Sequence, residues 1–193
     1  MKSHVRMITN THHVMATHDT ESLYERLIRP VEDRMMRSIA RVLPNPIDAG
    51  DAMQAATIKI LGKLDTIQSH PNPSALILRI CVDEALSIVR RRSRDQLSFV
   101  GSMDDSIPNK EPRPDQSAVL SEMEEETIAA IGRLPSLQAQ AVYQRLVLDL
   151  DYNEIAQALD CSEEAVRQHV VRGRKRLASE LSHWLESLSH FSS

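Results

Sequence analysis

The chain has 193 residues, of which 41% are hydrophobic and 26% are charged, and its formal net charge at pH 7 is -4. This length is enough for one or two small domains, and the lack of any long apolar run excludes a membrane-embedded protein. The N-terminal residues lack the apolar core of a signal peptide, which predicts a cytoplasmic protein. Cys81 and Cys161 have no CxxC partner, so we expect neither a disulfide nor a zinc site.

The first helical pattern of the chain begins after a polar tail. Residues 1–20 show no helical spacing, which predicts a disordered segment. Through residues 21–93 apolar residues recur at steps of three and four, the period of helices that pack by one face. Pro30 predicts the start of a second helix, Asp48 the cap of the next, and the pair Asn72-Pro73 the start of another. With no alternating strand pattern, the sequence predicts an all-α protein whose first domain is 21–93.

Two polar ridges stand on the outer faces of these predicted helices. The first carries Asp48, Asp51 and Gln54 at three-residue steps. The second lies on the last helix, where Arg79, Asp83, Ser87 and Arg90 follow one another at steps of four, four and three. Arg91 and Arg92 continue it. Residues at such spacings share one helix face. Both ridges are therefore predicted to be exposed, and the second gives the bundle a basic edge.

Residues 94–117 are predicted to be a flexible linker. The segment contains Gly101, Pro108, Pro112 and Pro114 and no sustained period, which is typical of a connection between domains. Nine acidic and three basic residues lie between Arg94 and Glu126, so the acidic excess of the chain is concentrated in the linker and the residues that directly follow it. The linker is either a solvated spacer or a segment that mimics DNA along a basic channel of a partner.

Residues 118–193 are predicted to form a second helical domain that contains a helix-turn-helix. Asp151 offers an N-cap with Glu154 three residues later, the pattern of a capping box, so a short helix should begin there. It ends near Asp160, and Ser162 offers the cap of the next helix. Two short helices joined by a tight turn form the motif by which many proteins enter the major groove of DNA.

The second helix of this motif has one apolar and one basic face. Val166, Val170, Gly173 and Leu177 recur at helical steps and should face inward. The opposite face and its flanks carry the candidate DNA contacts, which are Arg167, Gln168, Arg172, Arg174, Lys175 and Arg176. Residues early in such a helix meet base edges and the later basic residues meet phosphates. The alternative is a solvated basic face on an ordinary helical hairpin.

From Leu134 to Leu177 the chain resembles the DNA-binding region four of bacterial RNA polymerase sigma factors of the extracytoplasmic-function (ECF) type. The matching features are Leu134-Pro135, Tyr152, Glu154-Ile155-Ala156, Ser162, Val166 and the run from Arg172 to Leu177. Asp160 stands where the family usually has glycine, and aspartate tolerates the left-handed conformation that the turn needs. The resemblance implies that Arg167 and Gln168 read bases of the minus thirty-five element, with Arg172, Arg174, Lys175 and Arg176 on phosphates.

The first domain resembles region two of the same family. The matching residues are Leu23-Tyr24, Pro30, Asp48-Ala49, Asp51, Gln54, Ala75, Arg79-Ile80, Ala85 and Arg90 to Arg92. The resemblance implies that Asp48, Asp51 and Gln54 bind core RNA polymerase. It also implies that the minus ten element is bound by Arg79, Asp83, Ser87 and Arg90, with Arg91 and Arg92 as adjacent basic residues. Asp83 stands where the family usually has asparagine, so this helix departs from the family pattern.

The resemblance therefore predicts two small helical domains, region two-like and region four-like, joined by a flexible acidic linker. It implies a sigma factor that binds core polymerase and promoter DNA, uses no cofactor or metal and is not an enzyme; an anti-sigma factor is a further possible partner. Two alternatives remain. One is a helix-turn-helix regulator that binds DNA without polymerase, and the other is a sigma-like interaction protein that does not initiate transcription.

Overall fold

The computed structural model describes residues 21–100 and 116–184, with side chains at 21–95 and 119–184. Every regular element in these ranges is helical, which confirms the all-α prediction. The helices are α1 (21–27), α2 (Glu32–Ala40), α3 (Pro46–Leu61), α4 (Leu64–Gln68), α5 (Pro73–Val100), α6 (Gln116–Arg133), α7 (Ser136–Leu146), α8 (Tyr152–Leu159) and α9 (Glu163–Glu180). The predicted tail at 1–20 lies outside the described residues.

The start of α3 differs from the prediction. Asp48 was expected to cap this helix, but the cap is Asn45, whose side chain accepts a hydrogen bond from the Ile47 backbone N–H at 2.9 Å. Pro46 occupies the first helical position, where its fixed φ suits a helix and its missing N–H costs nothing. Asp48 therefore lies in the first turn of α3.

Two other boundaries also differ. The stretch between α3 and α5, for which the sequence analysis predicted no helix, contains the short helix α4, whose Leu64 and Ile67 are buried. Helix α5 continues through the predicted domain boundary at residue 93 to Val100, since no glycine or proline occurs before Gly101. The first part of the predicted linker at 94–117 is therefore helical, and residues 101–115 of it lie outside the described ranges.

One apolar core joins the N-terminal half, α1 to α5, to the C-terminal half, α6 to α9. Its members include Met35, Ile39 and Leu86 from the first half and Ile131 and Tyr143 from the second, all at most 2% exposed. Helix α5 runs through the middle and packs against α2 and α3 on one side and α6, α7 and α8 on the other. The two halves predicted from the sequence are therefore in extensive contact.

The contact between α5 and α6 is particularly close. A Cβ atom placed on Gly132 of α6 would lie 2.8 Å from Cγ1 of Val89 on α5, closer than packed carbon atoms normally approach. Glycine is therefore what lets the two helices approach at this point.

No helix among the described residues is long and apolar enough to cross a membrane.

Candidate nucleic-acid interface

Two predicted caps build the helix-turn-helix from α8 and α9. The Asp151 carboxylate accepts a hydrogen bond from the Glu154 N–H at 2.7 Å, and the Glu154 side chain accepts one from the Asp151 N–H at 3.2 Å. This is a complete capping box. Asp160 adopts the left-handed conformation with φ of 53°, and Ser162 caps α9 by accepting from the Ala165 N–H at 3.2 Å. The predicted caps and turn are confirmed.

Glycine also fixes the position of α9 against α7. Gly173 is buried among the α9 residues that face inward, together with Val166, Val170 and Leu177. A Cβ atom at position 173 would lie 2.5 Å from Cγ2 of Val142 on α7. The apolar face of α9 can therefore lie directly on α7, and this contact sets which face of α9 points to solvent.

The outward face of α9 carries the predicted DNA contacts. All six are exposed, namely Arg167, Gln168, Arg172, Arg174, Lys175 and Arg176. Val171 lies among them with 66% of its surface exposed. This face is thus basic with one apolar side chain, a composition suited to phosphates, base edges and a thymine methyl group.

The two residues predicted to read bases are held by carboxylates of the first turn. Arg167 forms an ion pair with Glu163 at 3.1 Å, and its guanidinium lies 4.2 Å from the centroid of the Tyr152 ring. The Gln168 amide donates to Glu164 at 3.3 Å. These contacts orient both side chains at the N-terminal end of α9, where a recognition helix meets base edges.

The second polar ridge, on α5, is only partly exposed, which corrects the prediction for this face. Ser87, Arg91 and Arg92 are exposed, whereas Arg79, Asp83 and Arg90 are half-buried. Arg79 contacts Ala158 of α8 and Gln140 of α7. Periodicity located the polar face correctly. It could not show that part of this face is covered by α7 and α8, because those helices carry polar groups that match it.

The first polar ridge, on α3, contains two large apolar residues that the sequence reasoning missed. Asp51 and Gln54 are exposed as predicted, but Asp48 forms an ion pair with Arg92 of α5. Ile47 and Ile58 are 74% and 65% exposed. They lie four residues before Asp51 and four residues after Gln54, so they share the face of these two residues. The four-residue spacing is visible in the sequence, but the sequence analysis placed Ile47 and Ile58 neither in the core nor in a site.

Among residues 21–95 and 119–184, no group of three His, Cys, Asp or Glu side chains could hold a metal ion. Both cysteines in that part of the chain are unpaired thiols. Burial raises the pKa of Cys81 to about 12. Burial also raises the pKa of Cys161, which lies at the turn before α9.

The sequence of the chain is similar to known proteins. Residues 124–177 match the family model for sigma-70 region 4. The match runs from the middle of α6 through most of α9. These residues therefore resemble a region of sigma factors. Over 159 residues the chain is 29% identical to the ECF RNA polymerase sigma factor SigE of Mycolicibacterium smegmatis, a match that covers 82% of this chain and 62% of SigE.

Two further likenesses were found. The RNA polymerase sigma-E factor of Streptomyces avermitilis is 25% identical over 158 residues, covering 82% of this chain and 84% of that protein. A solved structure of the sigma factor RpoE in complex with the anti-sigma factor NepR from Bartonella quintana has 19% identity and a TM-score of 0.47, covering 82% of this chain and 96% of that one. The chain is therefore similar to ECF RNA polymerase sigma factors over most of its length, and residues 124–177 match sigma-70 region 4.

Proposed function

We propose that the protein binds core RNA polymerase and directs it to promoters, with α9 on the minus thirty-five element, α5 on the minus ten element and the outer face of α3 on polymerase. The observation that carries this proposal is the exposed basic face of α9, built on a capped helix-turn-helix that matches sigma-70 region 4. An anti-sigma factor remains a predicted partner.

The side chains of α9 support a division between base readout and anchoring. Arg167 and Gln168 stand in the first turns, where arginine can bind guanine and glutamine can bind adenine by paired hydrogen bonds. Arg172, Lys175 and Arg176 lie further along and line one basic groove with Ser179. Such a groove suits a phosphate, which positions the helix without reading sequence.

The outer face of α3 supports a protein partner. It places the exposed Ile47 and Ile58 beside the exposed Asp51 and Gln54. Apolar side chains surrounded by polar ones are typical of protein interfaces. We assign this α3 face, defined as Ile47, Asp51, Gln54 and Ile58, to core polymerase.

The basic edge of α5 supports the minus ten assignment. Arg90, Arg91 and Arg92 follow one another at the C-terminal part of the described helix, with Arg90 3.6 Å from Asp83 and Arg92 paired with Asp48. Both pairs are at least partly solvent-exposed, and such pairs contribute little to stability, so phosphates can replace the carboxylates. Ser87 is exposed beside them and can donate to a base or accept from one.

Arg167→Ala and Lys175→Ala should weaken DNA binding in different ways. On duplexes selected by the wild-type chain from a randomised pool, Arg167→Ala should cost about 1–3 kcal/mol and relax the preference at one base pair. Lys175→Ala should weaken all duplexes alike and reduce the slope of log K against log salt by about 1. Fluorescence anisotropy titrations at several salt concentrations measure both effects.

The matched comparison for these titrations uses one selected duplex and one scrambled duplex of equal composition. The ratio of the two affinities should fall for Arg167→Ala and stay constant for Lys175→Ala. Equal changes in that ratio for the two variants would contradict the assignment of base readout to Arg167 and anchoring to Lys175.

A further inference from the structure

We propose that Glu164 is a further specificity-determining residue of α9 and that its carboxylate reads cytosine in the major groove. The inference rests on the proposed function of α9 and names a base preference within that site. Arg167 and Gln168 are the base-reading residues already assigned to this end of the helix. Glu164 adds an acceptor, which takes a hydrogen bond from the N4 amino group of a cytosine beside the base pairs of these two residues.

Glu164 lies on the same outward face as the other base-reading residues. It is exposed, and it precedes Arg167 by three residues and Gln168 by four, so the three side chains are neighbours on the helix surface. Val171 follows one turn later and is 66% exposed. These four residues, here called the reading face, stand in the first half of α9, the part of a recognition helix that meets base edges.

The two carboxylates of the first turn have different partners. Glu163 forms an ion pair with Arg167 at 3.1 Å. Glu164 forms no ion pair with any residue that the structure describes, and its Oε1 accepts a hydrogen bond from the Gln168 amide at 3.3 Å. Phosphates repel an uncompensated carboxylate, so Glu164 favours DNA binding only where a base donor faces it.

Stabilisation of the helix end does not account for the orientation of Glu164. Ser162 caps α9 by accepting from the Ala165 N–H at 3.2 Å. Glu163 already places a negative charge at the positive end of the helix dipole. Within the described residues, the Glu164 carboxylate accepts from Gln168, one turn along the helix, and from no backbone N–H. It is therefore directed along the reading face.

The chemistry of the base edges selects cytosine for this carboxylate. In the major groove cytosine presents its N4 donor with no acceptor beside it, whereas adenine has N7 next to its N6 donor. Guanine and thymine present no donor there. An ionised carboxylate only accepts, so it is repelled by acceptors of the other bases. Gln168 differs, because its amide has a second N–H for N7 of adenine after the first has bonded to Glu164.

The test repeats the duplex selection with variants of the full chain. Duplexes selected by the wild-type chain should show cytosine enriched about tenfold at a position next to the base pair whose preference Arg167→Ala relaxes. Glu164→Ala should remove the enrichment at that position alone. Glu164→Gln should replace cytosine by adenine, because the new amide can donate to N7 while it accepts from N6. Circular dichroism melting first establishes that the variants are folded.

Glu163→Gln is the matched control for charge. It removes one negative charge from the same helical turn, so it should bind every duplex more tightly. The cytosine enrichment should persist, and any change in base preference should appear at the position read by Arg167, the partner of Glu163. Loss of the cytosine enrichment in this control would show that the charge of the first turn, and not a contact of Glu164, sets the preference.

N4-methylcytosine tests the hydrogen bond itself. In a selected duplex the methyl group replaces the amino hydrogen that faces the major groove, while the other amino hydrogen still pairs with guanine. This change should lower the affinity of the wild-type chain about tenfold. It should leave the affinity of Glu164→Ala almost unchanged, because alanine makes no bond to N4. Equal losses in the two chains would overturn the contact.

The outcomes separate this inference from the proposed function. If Arg167→Ala changes a base preference and Glu164→Ala changes none, α9 reads DNA as proposed and the claim for Glu164 is overturned. If the wild-type chain selects no sequence from the pool, the proposed readout by α9 fails and the claim for Glu164 fails with it.

Discussion

Replacing Ile47 and Ile58 together by aspartate should lower the affinity of the chain for core RNA polymerase by about 100-fold or more, with little effect on folding. Both side chains are mostly exposed, so the folded chain loses almost no buried apolar surface. A few apolar anchors in a protein interface typically contribute about 2 kcal/mol or more each. The dissociation constant is measured by fluorescence anisotropy with labelled chain and purified core enzyme.

The control for this prediction replaces two exposed leucines outside the α3 face by aspartate. Leu120 and Leu137 are 51% and 43% exposed and lie on α6 and α7, away from the α3 face. The control variant carries the same change in charge and should bind polymerase like the wild type. Equal losses in the two variants would show that added negative charge, and not the α3 face, controls binding.

Gly173→Ala should destabilise the protein by about 1–3 kcal/mol, the usual cost of overpacking a core. The new Cβ atom would lie 2.5 Å from Cγ2 of Val142, so α9 or α7 must move. Gly50→Ala is the matched control, because nothing lies within 4 Å of its Cβ position in the exposed part of α3. That change should stabilise the helix by about 0.5–1 kcal/mol. Urea unfolding measures both free energies.

Adding Val142→Ala tests whether the contact itself causes the loss. Val142→Ala alone should destabilise the chain, because it removes two buried methyl groups. In the Gly173→Ala background it should instead recover stability, giving a coupling free energy of about 1 kcal/mol or more. Simple addition of the two losses would place the cost of Gly173→Ala elsewhere.

Local chemistry made much of the C-terminal half predictable. Asp151 and Ser162 have side chains that can cap a helix, and Asp160 tolerates the left-handed backbone conformation of a turn. All three take the predicted roles. The same reasoning placed the N-cap of α3 three residues late, because Asp48 and Asn45 are both good caps. Proline at position 46 was the signal that distinguished them.

The contact between the halves was not predictable from local signals. Arg79 and Asp83 lie on a polar stripe of α5, and such stripes usually face water. Here Gln140 and the end of α8 offer hydrogen-bonding groups to that stripe. Because polar groups contact polar groups here, hydrophobic periodicity does not reveal that this surface is buried. Ile47 and Ile58 are the opposite case, because they are apolar and yet exposed. Their position outside the core does not show which partner covers them.

Run-off transcription tests the central claim most directly. Purified core polymerase, the wild-type chain and a pool of promoter fragments from its own genome should yield discrete transcripts. The transcripts should be lost with the Ile47→Asp and Ile58→Asp pair and should change in promoter preference with Arg167→Ala. Polymerase binding without any transcript would contradict a sigma factor that initiates transcription and favour a sigma-like interaction protein. DNA binding without polymerase binding would favour an independent regulator.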